Sequence, residues 1–124
     1  MLINLSNHPY SNWQVTQKSV AVKYGECIDL PFPDVDPFGG EEYIQNLARL
    51  VVGEMEPLFE GEDITVHVMG EMTLMYAIIG LLHQKNIRCI ASTTKRIVEE
   101  KSNGRKEVIF EFIRFREYQK CIKF

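Results

Sequence analysis

Short apolar runs rich in β-branched residues alternate with helical stripes along this chain, and that alternation restricts it to a β-α-β-α-β-α-β order. Met1 to Ser6 reads as a buried strand. It ends in a turn at Asn7-His8-Pro9, because the residue before a proline avoids the helical basin. Ser11 or Asn12 can cap a first helix in which Trp13, Gln17, Val20, Ala21 and Tyr24 fall at spacings of three and four, with Gly25 as its stop. Cys27 to Leu30 is a second strand, and Pro31, Pro33, Pro37 and Gly39-Gly40 enforce a long loop after it. A stripe from Tyr43 and Ile44 through Val51 and Val52 to Met55 predicts the second helix, ended by Pro57. Ile64 to Met69 alternates as a third strand and stops at Gly70. Glu71 to Gln84 is helical and apolar nearly all round, which implies burial against the sheet and a second surface such as a partner subunit.

Ile87 to Ala91 completes the parallel set. Ser92 to Arg96 then reads as a polar loop, and Asn103-Gly104 as the turn of a hairpin over about 95–118 whose return strand runs from Lys106 to Phe115. Right-handed crossovers give the expected fold: one α/β domain over residues 1–124, Rossmann-like and mostly parallel, in the order 2-1-3-4, with the hairpin added at an edge.

A net charge of −3 argues against duplex nucleic acid as a partner, since counterion release needs a dense basic face. The charge is unevenly spread: from Thr93 onward nine Lys or Arg, including Lys123, stand against five Glu, so the body before them is acidic. Such a basic end suits a small anion or self-association. Cys27, Cys89 and Cys121 follow no disulfide or zinc spacing, which points to a reducing, cytoplasmic setting. The longest apolar run, Leu74 to Leu82, falls well short of the roughly 20 residues of a membrane span. The absence of a GxGxxG or P-loop pattern argues against a dinucleotide cofactor or an NTPase, and no cofactor is expected. Asp34, Asp36, Glu41 and Glu42 invite a metal reading but are more economically turn formers and caps, so no metal is expected either.

In an open parallel sheet the ligand sits beyond the carboxyl ends of the strands, where the strand order reverses, here between strands one and three. The flanking segments are Ser6-Asn7-His8-Pro9 and Gly70-Glu71-Met72-Thr73, with Ser92 to Arg96 beside them. Gly70 permits close backbone approach at a helix start that attracts anions, and Glu71 can accept a ribose hydroxyl or act as a base. Thr93, Thr94 and Arg96 combine hydroxyls with a guanidinium and form the best anion-binding group, while strand alternation sends Lys95 to the opposite face. His8 can contact a phosphate or move a proton; His67, inside a strand, reads as a hydrogen-bonded core histidine.

The ordered set Asn4-Leu5-Ser6-Asn7-His8-Pro9, a helix near Trp13, Asp29-Leu30-Pro31-Phe32-Pro33, His67-Val68-Met69-Gly70-Glu71-Met72-Thr73 and Ala91-Ser92-Thr93-Thr94-Lys95-Arg96 resembles the small CRISPR-associated proteins with a CARF-like Rossmann fold that are grouped with the ring nucleases. The resemblance implies a homodimer that binds a cyclic oligoadenylate across its two-fold axis and cleaves it without metal, a ribose 2′-hydroxyl attacking the adjacent phosphate. Ser6, Asn7 and His8 would then line the ligand. Gly70, Glu71 and Thr73 would contact ribose or base, and Thr93, Thr94 and Arg96 would hold the scissile phosphate, with Arg96, His8 and Glu71 the catalytic set. The alternatives are a non-catalytic sensor of the same ligand, a small nucleotide or nucleoside enzyme using Glu71, and an interaction subunit whose apolar helix and Phe110, Phe112 and Phe115 bury an interface.

Overall fold

The computed structural model describes residues 1–121, so Lys123 of the basic end lies outside the described residues. Five strands, β1 (Leu2–Ser6), β2 (Cys27–Pro31), β3 (Thr65–Val68), β4 (Arg88–Glu100) and β5 (Lys106–Glu117), form one sheet in the order β2-β1-β3-β4-β5. The first four are parallel, and β5 returns antiparallel along β4 at the edge, which is the expected α/β arrangement. Among the described residues no helix is long and apolar enough to cross a membrane.

Helices α2 (Glu41–Met55) and α3 (Met72–Gln84) cover one face of the sheet. Ile3 and Leu5 of β1, Val66 and Val68 of β3 and Cys89 of β4 point into this layer, as the two-residue period of a strand requires. From the helices come Val52 and Met55, and Leu74 and Ile78. α3 ends in a Schellman turn: Asn86 has φ 59°, its N–H donates to the His83 carbonyl, and the Ile87 N–H donates to that of Leu82. α3 is not covered all round, because Met72 and Tyr76 face outward at 76% and 81% exposure.

The other face carries α1 (Val15–Ala21) and differs from its sequence reading. Instead of one helix from Asn12 to Gly25 there is a 3-10 turn at Tyr10–Asn12, extended backbone at Trp13 and Gln14, then α1 and a second 3-10 turn at Val22–Tyr24. The cause is tertiary. The Trp13 indole N–H donates to the His8 carbonyl, while the Gln14 amide bonds the backbone of Phe110 and Phe112, and both reaches hold these residues out of the helix. Only Gln17 and Ala21 of α1 are buried, and Val20 is exposed. Gly25, at φ 91°, makes the turn into β2 as expected.

β4 also differs from the sequence expectation. Ser92 to Arg96 is not a loop, because β4 runs without a break from Arg88 to Glu100 and pairs with β5 from Ile90 onward. Hydroxyl-bearing and β-branched residues suit a strand as well as a loop, and the partner strand decides the outcome. The hairpin falls where Asn103-Gly104 places it, but only Gly104 has positive φ (79°), and Lys101 and Arg105 close a three-residue loop. Ile113 is an extra residue between the pairs Thr93–Arg114 and Thr94–Phe112, and this bulge lets Phe112 and Phe115 both turn inward toward Trp13.

Candidate functional site

On the α1 face the sheet is polar at its centre. β1 places Asn4 and Ser6 there, β3 places His67 and β4 places Ser92. The Asn4 amide nitrogen donates to Asp29 Oδ1 at 2.9 Å and to the His8 carbonyl at 2.8 Å, which leaves its Oδ1 as acceptor for Ser6 Oγ at 2.8 Å and His67 Nδ1 at 2.9 Å. His67 is therefore protonated on Nδ1, and its Nε2 accepts from Ser92 Oγ at 2.7 Å. Ser92 Oγ in turn accepts from the Gln17 amide at 3.0 Å. Trp13 and Phe115 pack against the imidazole, with ring centres at 5.2 Å and 5.8 Å. Burial, with His8 close by, pushes the His67 pKa down to about 4, so the ring is neutral.

Ser92, His67 and Asn4 stand in the order of nucleophile, base and orienting group. With a second donor on the hydroxyl and an imidazole this hard to protonate, the network acts as a scaffold. What it holds is the rim. The His8 carbonyl accepts from Asn4 Nδ2 at 2.8 Å and Trp13 Nε1 at 3.0 Å, and the His8 N–H donates at 3.2 Å to Ser6 Oγ, whose own proton goes to Asn4 Oδ1. Asp29 Oδ1 also accepts from the Tyr10 N–H, pinning the far side of the same turn. Asn7 and His8 are thus exposed side chains on an immobilised backbone. Ser6 is buried and faces the network, not the solvent side of the rim.

The start of α3 uses its polar residues locally. The Glu71 carboxylate accepts from the Leu74 N–H at 2.8 Å and the Thr73 hydroxyl at 2.6 Å, and these bonds, that of Thr73 foremost, hold its pKa below the usual carboxylate value. Glu71 is the N-cap of α3. The space beside Gly70 belongs to Phe32: a Cβ at Gly70 would lie 2.5 Å from that buried ring. Close approach here is by a side chain of the protein itself.

Strand geometry divides the third group. Ser92 pairs with Phe115, Thr94 with Phe112 and Arg96 with Phe110, so Thr94 and Arg96 share the α1 face and are exposed. Thr93 and Lys95 lie on the other face, and the Thr93 hydroxyl donates to the Arg114 carbonyl at 2.8 Å. Asn7 and His8 lie at the end of β1, and Thr94 and Arg96 lie on the same face of the sheet where β4 runs on beyond its ladder to β3. Glu71 and Thr73 sit across the sheet at α3. The residues that organise this rim, Asn4, Asp29, Trp13 and Gln17, carry no role in the sequence reading of the site. Their one local signal is polar residues, Asn4 and Ser6 in β1 and His67 in β3, at alternate positions of otherwise apolar strands.

A separate cleft lies elsewhere. It encloses about 650 Å³ between α2 and α3 and is mostly apolar, lined by Ile44, Ala48, Met72, Tyr76 and Gly80, with Thr73 at its edge. A second cleft of about 630 Å³, at the opposite end of the sheet, is polar and carries Lys23, Glu62, Asp63, Arg88 and Arg114. Cys27 and Cys89 line neither rim nor cleft, and burial pushes their thiols up to about 11 and about 12, too high for a reactive thiolate.

The sequence profile of the uncharacterized protein MJ1673 family matches residues 1–116, and the chain belongs to that family. Neither the curated proteins nor the solved structures contain a match to it.

Proposed function

We propose that this member of the MJ1673 family binds a cyclic oligoadenylate on the rim at the ends of β1 and β4, and opens it without a metal by attack of a ribose 2′-hydroxyl on the adjacent phosphorus. The observation that carries the reading is the backbone of His8, whose carbonyl accepts from Asn4 and Trp13 and whose N–H donates to Ser6, which fixes the position from which the exposed imidazole meets a ligand. In the reaction a 2′-O–P bond forms and the P–O5′ bond breaks, giving a 2′,3′-cyclic phosphate and a 5′-hydroxyl. His8 takes the 2′-hydroxyl proton and returns a proton to the 5′ oxygen, while Arg96, with Thr94 beside it, neutralises the phosphate. Glu71, already engaged as a helix cap, serves at most as a ribose contact. The protein acts as a cytoplasmic homodimer in CRISPR-linked defence, as the resemblance implies.

The test is incubation of the purified chain with labelled cyclic tri-, tetra- and hexa-adenylate. One ring is retained and yields a linear product with a cyclic phosphate end. His8→Ala lowers its cleavage by about 100-fold while binding changes little, and Arg96→Ala weakens binding itself. Failure to bind any of the three rings overturns the proposal. The engagement of Glu71 as a cap, which leaves His8 as the acid–base side chain on the rim, favours a second reading, a non-catalytic sensor. Retention without any linear product would select it.

A further inference from the structure

Two edges of the β4–β5 ribbon are treated differently. β3 ends at Val68 and its ladder to β4 ends at His67–Ile90, whereas β4 continues to Glu100. Beyond Ser92, the backbone groups of β4 that point away from β5 therefore have no strand beside them among the described residues. The outer edge of β5 is occupied, since the Gln14 amide donates to the Phe110 carbonyl at 2.7 Å and accepts from the Phe112 N–H at 3.0 Å. The bare edge of β4 carries no proline to blunt it, and the ribbon presents Val98, Val108 and Phe110 at 47%, 43% and 56% exposure on one face.

We propose that this edge of β4 pairs antiparallel with the same edge of a second copy, about a two-fold axis at Ile97, and joins the two sheets into one. Residues opposite one another in an antiparallel pair share a face, so a symmetric pairing must set one residue against itself. Centring on Lys95, Arg96 or Glu99 opposes like charges, and centring on Val98 sets Lys95 against the partner's Lys101. Centring on Ile97 sets isoleucine against isoleucine, Lys95 against the partner's Glu99 and Glu99 against the partner's Lys95. Arg96 then lies opposite the partner's Val98, with the partner's Glu100 on the diagonal. Glu99 can be drawn to a partner because Lys101, its neighbour at 3.6 Å, is held more closely by Glu107 at 2.8 Å. The apolar patches of the two ribbons become continuous on one face of the joined sheet. This association does not depend on the ligand reading.

Sedimentation of the full chain without nucleotide tests it. The unaltered chain is a dimer, and Glu99→Lys or Lys95→Glu each raises its dissociation constant by about 10-fold, since each affects two symmetric pairs. The exchange Lys95→Glu with Glu99→Lys returns it to within about 3-fold of the original, a rescue that a merely structural defect does not give. In a Cys121→Ser background, Ile97→Cys becomes cross-linked between copies on mild oxidation, and Ile113→Cys does not. A chain that stays monomeric, a dimer indifferent to both single reversals, or a dimer lost in Tyr76→Arg and retained in Glu99→Lys overturns the proposal; the last two place the interface elsewhere.

Discussion

The two faces of the sheet are built on opposite principles although consecutive residues supply them. Leu5 enters a layer held by apolar burial under α2 and α3, where many side chains could be exchanged for others of like volume. Asn4, its neighbour, enters a layer whose buried side-chain polar atoms are all hydrogen-bonded among the described residues, with aromatic rings packed on the imidazole. The apolar layer supplies stability, and the polar one supplies position. It ties the His8 turn, β2, α1 and β4 together by directed bonds, each valid in one geometry only. The rim whose side chains are exposed stands on the second layer.

Breaking that contrast is most informative at Asn4. Asn4→Ala strands the His67 Nδ1–H and frees the His8 turn, and should destabilise the chain by about 4 kcal/mol in urea unfolding. Leu5→Ala, on the opposite face, should cost about 3 kcal/mol. It should leave hydrogen exchange of the His8 and Tyr10 amides close to that of the parent, whereas Asn4→Ala accelerates it. Acid separates the layers by a different route. His67 titrates near its ordinary 6.5 when unfolded and at about 4 when folded, so the unfolded chain binds the extra proton between those values. This contribution is fully present above pH 6.5 and is lost as pH falls through about 4, amounting to roughly 3 kcal/mol. His67→Gln should flatten that part of the stability profile.

Two smaller changes sharpen the comparison at its margins. Gly70→Ala drives a methyl group into the Phe32 ring, and should cost about 2 kcal/mol by thermal unfolding. Gln14→Ala removes the clamp on the β5 edge; it should cost about 1 kcal/mol and raise exchange at the Phe112 amide without disturbing the turn at His8.

The elements and their order were legible because hydrophobic period is a local property. The stripe from Tyr43 to Met55 is α2 in the structure, and Asp36, read from sequence as a turn former, accepts from the Phe38 N–H. His67 was legible as a hydrogen-bonded core residue, since an imidazole between apolar strand positions has to find partners. Ser92 to Arg96 misled because its composition suits loop and strand alike, and β5, more than ten residues further along, is what makes it a strand. Glu71 and Thr73 follow a strand end, which is what suggests ligand contacts there; in the structure the Glu71 carboxylate instead caps α3 and accepts from the Thr73 hydroxyl.

The chain by itself determined a series of parallel strands alternating with helices and the place of the hairpin, since these depend on spacings within a few residues. Only the tertiary structure decided that Asn4, Asp29, His67 and Ser92 meet, that Trp13 leaves its helix to bond the His8 carbonyl, and that Phe32 fills the space beside Gly70. These are contacts between strands and loops distant along the chain. They depend on register and on the path of a long loop, and no local period records either.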